Sequence, residues 1–317
     1  MTTTATAAHR TELALAPPAG FRLDPTVRGH GWYDLPPFAR AADGTLSFLH
    51  THRHVSGGDV LFAVHVREGA GTGAGTGALA LAVETAGPPA PALLAAATAV
   101  ASDVLVFGAD LAPFYAMTDG DPRLGWVRAA GAGRLLRAPT VFEDLTKLIC
   151  TTNCAWSATR RMVGALVDHL GASGPNGGRA FPTPARMAAE PESFYRAVVR
   201  AGYRARALRE LAERAAREPE ALERLRRLDW PSAHLRRALL ALHGVGPYAA
   251  EQMLRLLGRY DFLALDSWCL AAFVRLHGRR RPPTRRAIER AYARFGAYRG
   301  LAMWLDLTSD WSCHQGQ

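Results

Sequence analysis

The stretch 239–268, LLALHGVGPYAAEQMLRLLGRYDFLALDSW, constrains the fold more than any other part of the chain. An apolar, helix-like segment runs into the turn 243–247, whose two glycines allow the backbone to bend sharply and approach a partner closely. A second helix is predicted to follow, and the free N–H groups of its first turn can bind an anion. Asp266 stands between an apolar segment and Trp268. The pattern predicts a helical hairpin that grips a phosphate, with a carboxylate close by.

The charge of the chain fits a polyanionic partner. The 317 residues carry a formal charge of +10 and the pI is about 10.1, values typical of nucleic-acid binding. A codon bias toward Arg and Ala is the alternative explanation, because Lys147 is the only lysine. The length predicts two or three subdomains. Since the sequence shows neither a secretory signal nor an apolar run long enough to span a membrane, we expect a cytoplasmic protein acting on chromosomal DNA.

Four segments together resemble the helix-hairpin-helix DNA glycosylases, a base-excision superfamily with a Gly-Val-Gly hairpin and a following catalytic aspartate. Besides the hairpin, the segments similar to the 8-oxoguanine branch are 148–153 (LICTTN), 201–206 (AGYRAR) and 296–302 (GAYRGLA). The resemblance covers roughly residues 105–310 in the same order. It implies an α+β protein in which an N-terminal antiparallel β-sheet subdomain precedes an all-helical glycosylase body.

The residue pattern along the chain favours the same organisation. Residues 1–18 are rich in Thr and Ala and end in Pro-Pro, which predicts a disordered arm. Residues 19–107 contain short apolar, β-branched segments bounded by glycines, which indicate an antiparallel β subdomain with one helix. Further on, apolar residues recur at three- and four-residue spacing, so 108–317 is predicted to be the helical domain that carries the hairpin 243–247.

Asp266 is the candidate catalytic residue. Cleavage of an N-glycosidic bond builds positive charge on the sugar, and a nearby carboxylate can stabilise that charge or orient the attacking water. Asp266 also precedes the apolar segment SWCLAAF and would make a good helix N-cap. The two roles are compatible.

The resemblance implies that the residue after Pro247 decides the type of reaction. Bifunctional relatives have a lysine there, whose amine attacks the sugar and forms a Schiff base. This chain has Tyr248, and Lys147 aligns with no catalytic position. We therefore predict a monofunctional glycosylase that uses water. Packing of the hairpin's second helix is the other interpretation of Tyr248, and the alkylpurine branch also has an aromatic residue at that position.

The base pocket departs from the 8-oxoguanine branch. Met303 stands where that branch has a base-reading glutamine, Leu307 replaces its stacking phenylalanine, and Gln252 falls at a pocket-lining position. The aromatic candidates for stacking are Trp156, Trp268 and Trp304. A pocket with Met303, several aromatics and no charged residue that reads the base favours an alkylated purine, because a cationic ring stacks well on aromatic faces.

The predicted DNA contacts lie at the hairpin and at two segments similar to the 8-oxoguanine branch. The residues concerned are Asn153, Tyr203, Arg204, Gly244, Val245 and Gly246. Hairpin groups are expected to meet phosphates, and the asparagine matching Asn153 in that branch helps fill the gap left by a flipped base. A helix cap is the alternative role for Asn153. Further candidate phosphate contacts are the arginine groups at 160–161, 236–237, 279–281 and 285–286.

No cofactor is expected. Some relatives hold an iron–sulfur cluster on four cysteines beyond the catalytic aspartate, whereas only Cys269 and Cys313 follow Asp266 here. Three histidines, His50, His52 and His54, alternate along a predicted strand and could bind zinc. An exposed polar sheet face is the preferred interpretation of them. The one candidate ion is a monovalent cation bound at the hairpin.

The expected partner is double-stranded DNA containing a damaged base, bound by a monomer. Two other functions stay open: a catalytically weak lesion-binding protein of the same fold, and a bifunctional oxidised-purine glycosylase/lyase. Asp266 argues against the first, because a pure binding protein needs no acid there. The absent lysine argues against the second.

Overall fold

The N-terminal part of the chain forms a single sheet. The computed structural model describes residues 8–53, 58–69, 78–175, 177–227, 229–278, 281 and 283–310. In these residues the strands are β1 (His9–Leu15), β2 (Ala39–Arg40), β3 (Leu46–Arg53), β4 (Asp59–Glu68) and β5 (Leu79–Thr85). They pair antiparallel in the order β1-β5-β4-β3-β2. The predicted antiparallel sheet is confirmed.

The prediction of a disordered arm over 1–18 is wrong for residues 9–15, which form the edge strand β1. This strand pairs with β5 along its full length, from His9 opposite Thr85 to Leu15 opposite Leu79. Leu13 is half-buried and Leu15 is buried, so every second residue faces the core. The alternation is short and lies in a Thr- and Ala-rich stretch, and the strand is held by backbone pairing that only the distant β5 provides.

The other regular elements of the described residues are helices. The α-helices of the described residues are α1 (Leu23–Val27), α2 (Pro91–Val104), α3 (Ala112–Thr118), α4 (Trp126–Ala130), α5 (Val141–Thr151), α6 (Trp156–Leu170), α7 (Pro184–Ala188), α8 (Glu192–Ala197), α9 (Ala205–Arg217), α10 (Pro219–Glu223), α11 (Ser232–Leu240), α12 (Pro247–Leu256), α13 (Ser267–Leu276), α14 (Arg285–Tyr292) and α15 (Arg299–Leu307). None of them is both long and apolar enough to cross a membrane. The predicted all-helical body is confirmed.

The helix boundaries follow from local chemistry. Thr140 and Thr284 accept hydrogen bonds from the third backbone N–H of α5 and α14, at 3.1 and 3.3 Å. A side chain that caps the first turn satisfies an otherwise unpaired donor. In α9 the residues Leu208, Leu211 and Ala215 are buried. Their three- and four-residue spacing places one apolar face of that helix against the core.

The sheet and the helical body share one hydrophobic core. Its buried members include Phe48 and Phe62 from the sheet and Leu145 and Phe273 from the helices. The chain between α1 and β2 lies against both parts. Trp32 in this connection donates from Nε1 to the carboxylate of the buried Asp144 in α5, at 2.8 Å. These contacts fix the connection as a wall of the helical body.

The turn between α11 and α12 requires glycine at one position. Gly244 has a φ of +82°, a conformation that favours glycine, and a Cβ atom there would lie 2.4 Å from the Cβ of Ala207 in α9. Val245 is buried and anchors the turn. Gly246 differs, because its φ is −82° and no atom lies within 4 Å of a Cβ built on it. The turn therefore packs on α9 through Gly244 and faces open space at Gly246.

Several arginines predicted to contact phosphates make ion pairs within the protein. Glu251 of α12 is 1% exposed and accepts hydrogen bonds from Arg236 of α11 and Arg285 of α14, at 3.0 and 3.1 Å. Arg160 lies 3.3 Å from Asp34. A buried carboxylate requires such partners. Two of these arginines therefore tie the hairpin helix to its neighbours.

Candidate active site

The cavity that holds the predicted catalytic residue has a volume of about 810 Å³ and opens beside the hairpin helix α12. Its lining includes Asp266, Tyr248 and Gln252, together with the three predicted aromatic residues, Trp156, Trp268 and Trp304. These residues come from α6, α12, α13 and α15. The structure thus brings together side chains that lie up to about 150 positions apart in the sequence. The volume is in the range of small-molecule sites.

Asp266 serves as a helix cap and also lines the cavity. Its Oδ1 accepts a hydrogen bond from the backbone N–H of Cys269, at 2.7 Å, as the N-cap of α13. Among the described residues, no hydrogen bond to its Oδ2 is formed. The cap fixes the orientation of the carboxylate, and the second oxygen is available to a ligand in the cavity.

Tyr248, the second residue of α12, lines the same cavity. Burial, together with the negative charge of Asp266, raises the pKa of Tyr248 to about 12. Its hydroxyl is therefore neutral near pH 7. Lys147 lies elsewhere, fully buried on α5, where its Nζ is 2.7 Å from Glu143 Oε1 and 4.6 Å from the ring centre of Phe38. The one lysine of the chain is enclosed and ion-paired.

The aromatic walls agree with the prediction, whereas Met303 does not. The rings of Trp268 and Trp304 have centroids 5.9 Å apart and are tilted by 49°. Trp156 donates from Nε1 to Asp34 at 2.7 Å. Met303, predicted to line the base pocket, is fully buried in the core and does not line the cavity. Neighbouring residues of a helix point about 100° apart, so α15 presents Trp304 to the cavity and Met303 to the core.

Arg255 lines the cavity and was missed by the sequence analysis. It is 3% exposed, and its guanidinium lies 4.7 Å from the ring centre of Trp304. Burial lowers the pKa of Arg255, while nearby Cys269, Tyr248 and Asp266 raise it. The sequence predicted a pocket with no charged residue that reads the base, whereas a buried arginine lines this cavity. The spacing Tyr248, Gln252, Arg255 follows one face of a helix and would have revealed it.

The connection after α1 forms a second unpredicted wall. His30, Trp32, Tyr33 and Asp34 all line the cavity. His30 donates a hydrogen bond from Nε2 to the carbonyl of Leu136. Burial of the imidazole lowers the pKa of His30 to about 4. His30 is therefore neutral at pH 7, with the proton on Nε2. Its Nδ1 is then an acceptor. No local sequence signal marks this wall, because its partners lie more than 100 residues away.

The predicted DNA contacts next to the cavity form a small cluster. Asn153 is exposed in a left-handed conformation with a φ of 45°, between the caps of α5 and α6. Its side-chain amide donates to the hydroxyl of Tyr203 at 3.3 Å, and Tyr203 is 61% exposed. Arg204 is buried and bonds through Nη2 to the carbonyl of Thr152. Asn153 and Tyr203 are open to a partner, whereas Arg204 supports their loop.

The described histidine and cysteine side chains do not gather into a set of metal ligands. Within the described part of the chain, no three His, Cys, Asp or Glu side chains cluster as metal ligands. His50 and His52 lie side by side on β3 with ring centroids 6.1 Å apart, and both rings contact Phe62. Burial lowers the pKa of His50 to about 3. His54 and Cys313 lie outside the described residues.

Comparison with known proteins yields matches among solved structures alone. No family model and no curated protein matches the chain. A 3-methyladenine DNA glycosylase from Archaeoglobus fulgidus is 21% identical, with a TM-score of 0.67 over 95% of this chain and 98% of that one. An 8-oxoguanine glycosylase/lyase from Clostridium acetobutylicum is 17% identical, with a TM-score of 0.68 over the same shares. MBOgg1, solved with a low-affinity DNA ligand, is 19% identical, with a TM-score of 0.69 over 95% of this chain and 96% of that one.

These likenesses run over nearly the whole length of both chains, so they include the N-terminal sheet as well as the helical body. They span an 8-oxoguanine enzyme and a 3-methyladenine enzyme, the two branches that the sequence motifs resemble. At 17–21% identity they establish architecture. The protein has the fold of the helix-hairpin-helix DNA glycosylases.

Proposed function

We propose that this protein is a monofunctional DNA glycosylase that flips a damaged purine into the 810 Å³ cavity and hydrolyses its N-glycosidic bond. The observation that carries the proposal is the position of Asp266, whose fixed carboxylate lines an aromatic cavity at the end of the hairpin unit. The glycosylase activity of the proteins with this fold supports it. The partner is double-stranded DNA, bound by a monomer.

In the reaction, the bond between the sugar C1′ and the base nitrogen breaks, and the base leaves with the electron pair. Positive charge then develops on the sugar ring, and the carboxylate of Asp266 stabilises it. Water adds its oxygen to C1′ and loses a proton, and Asp266 can accept that proton. The products are a free base and an abasic strand that is still intact.

The hairpin supplies the grip on the DNA backbone. Pro247 has no N–H, and no side chain caps α12, so the N–H groups of its first turn point outward beyond Gly246. Such a helix start attracts a phosphate. The carbonyls of His243, Gly244 and Val245 accept no hydrogen bond from the described backbone. These oxygens would be the ligands of a monovalent cation at the turn, which would also attract a phosphate.

Support for a damaged purine comes from the cavity walls. Trp268, which is partly exposed and lines the cavity, offers an aromatic face on which a flipped base can stack. The fold is shared with a 3-methyladenine enzyme, so an alkylated purine is the first class to test. Arg255 adds a positive charge to this cavity. Cationic and neutral alkylated purines are therefore tested separately.

A panel of duplexes tests the proposal. Each duplex carries a single lesion: 7-methylguanine, 3-methyladenine, hypoxanthine, O6-methylguanine, 8-oxoguanine or none. After incubation, alkali cleaves the strand at any abasic site, and the fragments are separated. Release from at least one lesion, with no release from the unmodified duplex, supports the proposal. Lesion binding without any release would favour a binding protein of the same fold.

Strand cleavage separates the two reaction types. We expect the natural protein to leave the strand intact until alkali is added, because neither Tyr248 nor the enclosed Lys147 offers an amine to the sugar. Borohydride should trap no more protein–DNA complex than in the Lys147→Met variant. Tyr248→Lys places an amine in the cavity and should increase trapping. Strong trapping by the natural protein that Lys147→Met abolishes would contradict the monofunctional mechanism.

A further inference from the structure

His30 presents a free hydrogen-bond acceptor to the cavity. Its Nε2 bonds to the carbonyl of Leu136, which can only accept, so the proton of the neutral ring is on Nε2 and Nδ1 carries a lone pair. Nδ1 has no hydrogen-bond partner among the described residues, and it is not one of the polar atoms that the protein encloses. Because His30 is half-buried and lines the cavity, its Nδ1 is accessible to a ligand there.

Two features keep Nδ1 an acceptor. Burial and the positive charges of Arg255 and Lys147 together lower the pKa of His30 to about 4, so the ring is neutral near pH 7. The bond to Leu136 fixes the tautomer, and the ring also packs against Trp32, with centroids 4.8 Å apart. A ring that turned over would lose the bond to Leu136. His30 therefore offers the cavity an acceptor and no donor.

The position of His30 is beside the aromatic wall of the cavity. The preceding residue, Gly29, accepts a hydrogen bond from Trp304 Nε1 at 2.8 Å. The ring of Trp304 lies 5.9 Å from that of Trp268, measured between centroids, and Trp268 is 36% exposed. Trp268 follows Asp266 by two residues. A purine that stacks on Trp268 with its sugar at Asp266 thus lies in the part of the cavity that His30 borders.

Two other polar side chains of the cavity are less selective. Asp34 already accepts from Trp156 Nε1 at 2.7 Å and lies 3.3 Å from Arg160. Gln252 has an amide that can present either its oxygen or its nitrogen, so it suits an amino edge and an oxo edge alike. The anchored ring of His30 has no such choice.

We propose that His30 Nδ1 accepts a hydrogen bond from an exocyclic amino group of the flipped purine. This deepens the glycosylase function proposed above and rests on it. An amino group is a donor that projects beyond the ring, whereas an oxygen in its place would oppose the lone pair of Nδ1 and leave both acceptors unsatisfied. The favoured lesions are alkylated purines that keep an amine, such as 3-methyladenine at C6 and 7-methylguanine at C2. Hypoxanthine, which has no exocyclic amine, is disfavoured.

Undamaged adenine and guanine carry the same amino groups. His30 therefore sorts lesions from one another, and the protection of normal bases depends on the cost of extruding them from an intact pair. The expected result of this selection is that amino purines are preferred to hypoxanthine.

Free bases test the contact in the complex of the protein with a duplex that carries a tetrahydrofuran abasic site. One pair is 3-methyladenine and 3-methylhypoxanthine, which have an amino group and an oxygen at C6. The other is 7-methylguanine and 7-methylhypoxanthine, which differ in the amine at C2. We expect the amino base of at least one pair to bind tighter by on the order of tenfold, and that pair identifies the amine that His30 contacts. No preference in either pair, or no binding of any of the four bases, overturns the inference.

Two substitutions separate the contact from the anchoring of the wall. In His30→Gln the longer amide can still donate to the carbonyl of Leu136, but no acceptor remains at the place of Nδ1, so the preference should fall close to one without a change in melting temperature. His30→Asn places an amide oxygen near the position of Nδ1 and should keep part of the preference. The control is His169→Gln, which replaces an exposed histidine of α6 outside the cavity lining and should change neither ratio. A preference that His30→Gln leaves unchanged overturns the role of His30.

Nitrogen NMR of the histidine-labelled wild type gives a measurement that does not require a stable variant for the binding step. The Nδ1 signal of His30, assigned by its absence from either variant, should shift when the preferred amino base binds, because the lone pair then accepts a hydrogen bond. The matching base without the amine should leave it in place. A signal that stays unshifted while the amino base binds contradicts the contact.

Base release separates the two proposals. Release from a lesion of the panel, with a ratio of amino purine to hypoxanthine that His30→Gln leaves unchanged, overturns the inference about His30 and leaves the glycosylase function standing. No release from any lesion overturns the glycosylase function and the inference with it. A ratio that falls by about tenfold in His30→Gln supports both.

Discussion

Asp266→Asn should bind damaged DNA as the wild type does and release the base more slowly by on the order of a hundredfold or more, the typical loss when a group that stabilises the transition state is removed. The reason is electrostatic, since an amide cannot stabilise the positive charge that develops on the sugar. The substitution leaves the fold intact, because asparagine also caps helices and can accept the hydrogen bond from Cys269. Single-turnover base release and binding affinity are the two measurements.

Asp266→Ser is the matched control for the cap. Serine also accepts a hydrogen bond from the first turn of a helix, yet it has no charge. Both variants should therefore melt near the wild-type temperature and lose base release together. Wild-type rates in Asp266→Asn would show that Asp266 is a helix cap alone.

Gly244→Ala should have the second large effect, through stability and DNA binding together. A left-handed backbone costs a residue other than glycine about 1–2 kcal/mol. The added Cβ would also meet the Cβ of Ala207 at 2.4 Å, and overpacking of this kind costs about 1–3 kcal/mol. We expect a lower melting temperature and weaker binding to every duplex, because the turn that presents the phosphate site is displaced from α9.

Gly246→Ala is the control within the same hairpin. Its φ of −82° suits alanine, and open space surrounds the new Cβ, so its stability should equal that of the wild type. Any loss of affinity in this variant then reports how closely a phosphate approaches α12. Binding of both proteins should fall steeply with salt, which reflects counterion release. Equal stability of the two variants would contradict the packing role of Gly244.

The parts predicted from sequence are those with a local cause. The hairpin follows from its glycines and Pro247, and Asp266 was readable as a cap because an apolar helix follows it directly. The helical body was predicted because its apolar spacing is regular over many turns. Trp268, Gln252 and Tyr248 were found at the cavity because they lie on the two helices that the motif itself defines.

The errors have non-local causes. Strand β1 exists because β5, about 70 positions away, pairs with it. Met303 and Trp304 are neighbours in sequence, and packing of α15 decides which of them faces the cavity. In the sequence, Arg204 and Arg236 look like solvent-facing phosphate ligands. In the structure Arg204 donates to Thr152, about 50 positions away, and Arg236 pairs with the buried Glu251.

By itself, therefore, the sequence determined the fold class, the hairpin and the identity of the candidate acid, because these depend on residues within one or two turns of each other. Tertiary structure alone decided what fills the space opposite Asp266. Residues 28–34 are held at the cavity by two hydrogen bonds, from Trp32 to Asp144 and from Trp304 to the carbonyl of Gly29. These bonds join positions more than 100 and more than 270 residues apart. Arg255 could be assigned to α12 from the sequence. Only the structure shows that its buried Nε and Nη2 atoms have no hydrogen-bond partner among the described residues. Whether a buried charge has a partner depends on residues that are distant in sequence, and only the fold brings these residues together.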